Sequence, residues 1–208
     1  MAENSLVKSI DRVVESAREK YDSIMLSDYV ARDIKIDGVL TRGQMEEQKK
    51  RTTTEDEYTR TITCMLDANA KRGSLIEIKS MDDDTWETGI ITSIPQKTPV
   101  DYLFYVLIFN TVMKRYRKQL IYSEDGYVIG DNPLIEDEIP CFVQRIGMRE
   151  RQIDVGIDSD SVNEFITLKS WDIEKGDILY VGSEQYKVTD LKELDKEICQ
   201  GYMTYYRE

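Results

Sequence analysis

The chain contains no histidine. That removes the side chain most used for proton transfer near neutral pH, the usual partner of a serine or cysteine nucleophile, and the commonest metal ligand. Carboxylate and lysine chemistry stay open. Cysteine is scarce as well: Cys64, Cys141 and Cys199 are odd in number and far apart, without the paired spacing of a zinc site or a redox dithiol. They read as buried, reduced thiols. Proline and glycine are few, 4 and 11 in 208 residues, and the balance of 40% apolar with 33% charged residues belongs to a folded chain rather than a disordered or fibrous one. The length suits one sizeable core or two small ones.

Long apolar runs are missing too. The longest, Tyr102 to Phe109, falls far short of the roughly 18 residues that cross a bilayer. Glu3, Lys8 and Asp11 interrupt the stretch where a secretory signal would be continuous, so the expectation is a cytoplasmic product with no membrane partner.

Acidic groups outnumber basic ones, giving a net charge of −12, and the excess is uneven. Residues 1–60 carry −2, residues 61–130 carry −1 and residues 131–208 carry −9. An acidic C-terminal third repels nucleic-acid backbones, whose binding proteins concentrate basic charge on one face. The same acidity also serves plain solubility.

Between Asn4 and Leu26, the residues Leu6, Ile10, Val13, Val14, Ala17, Tyr21 and Ile24 recur at spacings of three and four with charges between them, which predicts an amphipathic helix. Asn4 or Ser5 is placed to cap it. Its apolar stripe has two uses: packing on its own domain, or docking on another subunit.

Beyond the helix the period becomes alternating, and strands follow to the end. Ser74–Ser80 and Thr85–Ile94 flank the polar break Met81–Asp84, a hairpin turn. Its three adjacent carboxylates lack the alternate spacing around a glycine that calcium loops use. Tyr102–Arg117 reads as one long aromatic strand. Gln119–Tyr122 and Tyr127–Ile129 flank Ser123-Glu124-Asp125-Gly126, a hairpin signal. A last hairpin is expected at Asp177–Val181 and Gln185–Leu191, with a closing strand over Gly201–Tyr206.

Sliding the chain against itself by 103 residues sets Ile36–Ile78 on Ile139–Val181 without a gap. Arg42 then meets Arg145, Met45 meets Met148, Glu47 meets Glu150, and Arg72-Gly73 meets Lys175-Gly176. Shortening the second copy by six residues beyond Met81–Asp84 sets Ile91 on Val188 and Tyr105 on Tyr202. The expected architecture is mainly β: an N-terminal helical arm (1–35), a small β-barrel or sandwich copy A (36–111), a connector hairpin (112–138) outside both copies, and a related copy B (139–208). The connector's Lys114, Arg115, Arg117 and Lys118 around Tyr116 could bind phosphate, but charges on alternating faces of a strand fit a solvated or subunit-facing hairpin better.

Ile36-Asp37-Gly38-Val39, the strand Arg60–Leu66, and the Arg-Gly turn feeding an apolar strand with an aromatic partner resemble the small head–tail connector proteins of tailed bacteriophages. Lys175-Gly176-Asp177-Ile178-Leu179-Tyr180-Val181 and Tyr186-Lys187-Val188-Thr189 resemble that family's "KGD" and "Y-x-V" strands. The resemblance implies a structural virion protein, assembled in the host cytoplasm, forming a homo-oligomeric ring that closes the head or completes the tail. Its partners would be portal, adaptor or tail proteins, with DNA passing unbound, and with no catalytic residue, cofactor or metal. The chain departs from the family in carrying two units, which leaves neck, tail and baseplate positions open. The residues that would make the interfaces are Leu6, Ile10, Val13, Val14 and Ala17 on the helix, and Tyr116, Arg117, Tyr122 and Tyr127 on the hairpin.

Two other function classes fit the residues less well. A small barrel binding nucleic acid would stack bases on Tyr102, Tyr105, Tyr202, Tyr205 and Tyr206. A carboxylate hydrolase would use, for example, Glu77 or Asp101; any acidic sequence offers pairs of carboxylates, and nothing here selects one.

Overall fold

The computed structural model describes residues 3–47, 57–147, 157–192 and 195–207; at 3–8, 47, 118–120, 122, 131, 132 and 137 it describes the backbone. It divides into two compact units, Met1–Ile108 and Phe109–Glu208.

Unit 1 opens with α1 (Glu3–Met25), so Asn4 and Ser5 lie inside the helix rather than ahead of it. Six strands then close a barrel: β1 (Arg32–Ile36), β2 (Val39–Glu47), β3 (Thr59–Met65), β4 (Leu75–Lys79), β5 (Trp86–Ile91) and, after the two-residue edge strand β6 (Gln96–Lys97), β7 (Asp101–Ile108). Around the barrel the order is β1-β2-β3-β7-β5-β4, closed by the β3–β7 and β1–β4 pairings. Alternation directs Ile34, Ile36, Ile62, Ile76, Ile78 and Phe104 inward, where they form the core. The β1–β2 turn is the two-residue Asp37-Gly38, both at positive φ (49° and 81°), the left-handed geometry that matches strand twist in tight hairpins.

Unit 2 closes a second barrel from β8 (Thr111–Tyr122), β9 (Val128–Arg145), β10 (Asn163–Leu168), β11 (Ile178–Val181), β12 (Glu184–Leu191) and β13 (Ile198–Tyr205). The cyclic order is β8-β9-β10-β13-β12-β11, so each strand has a counterpart in unit 1 in the same sequential and spatial place. Inside lie Met113, Ile139, Cys141, Phe165, Leu179, Val188 and Met203.

The likeness extends to single hydrogen bonds. Gly73 N donates to Ile91 O at 2.8 Å, and Gly176 N donates to Val188 O at 2.9 Å. Ile91 N returns a bond to Ser74 O at 3.0 Å, and Val188 N returns one to Asp177 O at 2.9 Å. Both glycines hold positive φ, 84° and 96°, which a side chain would oppose. Over β3, β4, β5 and β7 the strand registers reproduce the sequence repeat, with Ile62 on Phe165, Leu75 on Ile178 and Val106 on Met203.

Three expectations are corrected. The repeat does not continue without a gap into β2: the pairings set Gly43 on Cys141 rather than on Ile146, because the connection from the second strand to the third is longer in unit 2. Arg42 and Arg145 are therefore not counterparts, and Met148 and Glu150 lie outside the described residues. The stretch 112–138 is not a connector outside the copies, since Met113–Tyr116 pair with β11 and supply the barrel's first strand, the counterpart of β1. Tyr102–Arg117 is not one strand either. It breaks at Phe109-Asn110, where the Asn110 amide donates to Val143 O and accepts from Val143 N, both at 2.9 Å, fastening the start of unit 2 to β9.

Candidate assembly surfaces

The clearest difference between the barrels is at the turn joining their first two strands. In unit 1 the chain reverses at Asp37-Gly38, and the Asp37 carboxylate accepts from Ser74 Oγ (2.7 Å) and Leu75 N (3.0 Å), stitching the turn to the start of β4. In unit 2 the strands run past that point and continue pairing from Arg115↔Glu136 out to Tyr122↔Val128. The result is a two-stranded arm, closed by a turn in which Ser123 N donates to Tyr127 O at 2.7 Å and Gly126 takes a φ of 82°.

The root of this arm is an ionic cluster. By register Arg115 occupies the place of the core residue Ile36, and it is 2% exposed. Its Nη1 donates to the carbonyls of Trp171 (2.6 Å) and Asp172 (2.7 Å), and its Nη2 pairs with Glu136 on the facing strand. Arg117, next on the same face, sends Nε to Asp177 Oδ1 at 2.6 Å and Nη2 to Asp177 Oδ2 at 2.7 Å, with Nη1 at 2.8 Å from Glu174. Asp177 stands where unit 1 has Ser74, so the same corner is held with the opposite assignment of donor and acceptor. The Asp177 bonds push the Arg117 guanidinium further above its ordinary pKa. These contacts turn both arginines toward β11 and the 3-10 turn Lys169–Trp171, so they form no phosphate-binding face.

Beyond its root the arm exposes Ile121, Tyr127, Val128, Ile129 and Ile135; Tyr127 is 74% exposed. Tyr116 is half-buried, Arg117 belongs to the root, and the Tyr122 side chain lies outside the described residues. On unit 1, α1 is anchored by its C-terminal end. Met25 is fully buried, and Arg42 binds Met25 O, Ala31 O, Asp28 and Asp33 at 2.8–3.1 Å. Further along α1, Arg18 Nη2 donates to Pro99 O at 2.9 Å and Val14 and Tyr21 are half-buried, while Ile10, Val13 and Ile24 are open, at 57%, 69% and 52% exposed, and Ala17 is exposed. The Leu6 side chain lies outside the described residues.

The hairpin, singled out by its turn, and the helix stripe are both legible as surfaces in the sequence. The sequence reading missed the root, although Arg115 sharing a face with Met113, with Asp177 directly after the turn Gly176, was a usable signal. Exposed Ile121, Val128, Ile129 and Ile135 were missed as well.

Other candidate groups do not converge. Glu77 pairs with Lys35 at 3.6 Å, while Asp101 accepts from Thr98, and β5 separates their strands. The Met81–Asp84 turn is held by Thr85 donating to Asp83, which lowers the Asp83 pKa, and no metal-ligand grouping occurs among the described residues. Of the tyrosines proposed as stacking platforms, Tyr202 is buried and Tyr102 and Tyr206 are half-buried, leaving Tyr105 and Tyr205 exposed. No helix among the described residues is long and apolar enough to cross a membrane. Compared with protein-family models and with curated proteins, the sequence matches none.

Proposed function

We propose that this chain is a structural, ring-forming subunit of a tailed-phage virion, acting in the neck at head closure or tail completion, without catalysis. The observation that carries the reading is that each barrel closes on itself and still presents an uncovered apolar element: the α1 stripe on unit 1 and the arm on unit 2. Closed barrels leave few edges for aggregation, so exposed apolar elements attached to them mark intended contacts. Two unlike surfaces on one chain favour head-to-tail contacts, the kind that close rings. The acidic C-terminal third suits a protein past which DNA slides without binding.

The partners in this reading are further copies of the chain and the adjoining portal, adaptor or tail proteins. Negative-stain imaging of the purified chain, alone and mixed with candidate portal and tail-completion proteins, tests it. Ring-shaped particles that cap a portal or tail end support the reading. Monodisperse single subunits in every mixture, or salt-sensitive sub-micromolar DNA binding, would replace it.

A further inference from the structure

The arm has two free edges that are unlike each other. Among the described residues, 117–122 of β8 and 128–141 of β9 have no strand partner outside the β8–β9 pairing, because β11 takes only Met113–Tyr116 and β10 takes only Phe142–Arg145. A lone two-stranded ribbon is marginal in water, and unpaired edges are templates for a further strand. Pro133 has no N–H to donate, so the usable part of the β9 edge beyond it is 128–132, close in length to the 117–122 edge of β8.

We infer that the 128–132 edge of one copy pairs with the 117–122 edge of the next, joining the arms into one continuous antiparallel sheet around the ring. The inference rests on the ring reading and adds to it which surface meets which. Three features select a second copy as the occupant. Arms lying side by side in the same direction place β9 of one antiparallel to β8 of the next, so the alternation within each arm continues without interruption. The two edges are close in length, 117–122 against 128–132. The sequence also puts a basic residue, Lys118, on the β8 edge and an acidic one, Asp131, on the β9 edge, and opposite charges on neighbouring strands favour pairing. A foreign strand would satisfy one edge and leave the other bare. A neighbouring copy on each side satisfies both, and sets a further strand beside Ile121, Val128 and Ile129.

The test uses the full chain, read by native mass spectrometry and sedimentation, with circular dichroism and thermal melts as the check on folding. Lys118→Glu alone and Asp131→Lys alone should each place like charges across the joint and weaken self-association at least about tenfold. Mixing the two variants one to one should restore the wild-type oligomer, because each then meets the other's reversed edge. Replacing 119–132 by an Asn-Gly turn should give a folded monomer. Single variants that assemble like the wild type, a mixture that stays dissociated, or a shortened arm that still assembles would each overturn the inference while leaving the ring reading intact. A wild-type chain that is monomeric at every concentration would overturn the ring reading, and this inference with it.

Discussion

Arg117 grips Asp177 with two parallel hydrogen bonds of 2.6 and 2.7 Å, across a corner that the first barrel closes with the Asp37–Ser74 bond instead. The Asp177 side chain is 2% exposed, and it also accepts from Glu174 N at 2.9 Å. The pair fixes the strand that continues into the arm against the strand that begins at Ile178, so packing at the barrel end sets the arm's course.

Arg117→Met removes both hydrogen bonds to that buried carboxylate and leaves it only Arg115 Nη1, 4.0 Å away, as a cation. Breaking one side of such a pair costs about 3–5 kcal/mol. A thermal scan should show unit 2 unfolding earlier with unit 1 unchanged, while Arg117→Lys recovers only part, since an ammonium lacks the planar fork. Equal melting of variant and wild type would refute the role given to this pair.

Glycine at position 201 is required by close approach rather than by a turn. A Cβ there would lie 2.6 Å from Leu191 Cδ2 and 2.8 Å from both Asp190 O and Phe165 Cζ. Gly201→Val should destabilise unit 2 by about 1–3 kcal/mol or more through overpacking. Gly130→Ala, with nothing within 4 Å of the added carbon, should change the denaturation midpoint little.

Stability should fall at alkaline pH. Burial raises the thiols of Cys64 and Cys141 to about 12 and that of Cys199 to about 11, from an ordinary value near 9, and it raises the Tyr21 and Tyr186 hydroxyls as well. A group whose pKa is higher when folded contributes fully below its unfolded pKa, and that contribution is lost as pH rises toward the folded one. Urea midpoints should therefore hold level for these groups below about pH 9 and decline between about 9 and 12. Cys141→Val should flatten part of the decline. An unchanged slope in that variant would mean that the thiol is not held neutral by the fold.

Much of the fold was legible because its elements have strong local causes. Alternation around Ile76 and Ile78, the Asp125-Gly126 turn and the repeated basic-Gly step at Gly73 and Gly176 each name a strand or turn from adjacent residues. What escaped depends on pairing between distant segments. The arm's inner half looks like any hairpin in sequence, and only its register with β11 shows that Met113–Tyr116 belong to the barrel. The arginine root escaped for the same reason: Arg115 is buried where unit 1 has Ile36, its charge is met by the Glu136 carboxylate, and its donors are accepted by the Trp171 and Asp172 carbonyls. The α1 stripe was readable as apolar, but only the structure shows that its end at Met25 is buried while Ile10 and Val13 are open.

That division of the helix gives a further expectation. Ile10→Asp and Val13→Asp fall on the open part, so both barrels should keep their melting temperatures while self-association is lost. Covering such side chains contributes about 1.5–3 kcal/mol each. Met25→Asp, by contrast, should destabilise unit 1 itself. Unfolding of unit 1 by Ile10→Asp would place the stripe in the barrel's own core and remove it from assembly.

The most direct test of the account is the mass of the purified full-length chain in solution, measured by native mass spectrometry across a wide range of protein concentration. A ring-forming subunit predicts one discrete oligomer of fixed copy number that persists on dilution. A chain that remains monomeric throughout, or grows into particles of unlimited size, would contradict it.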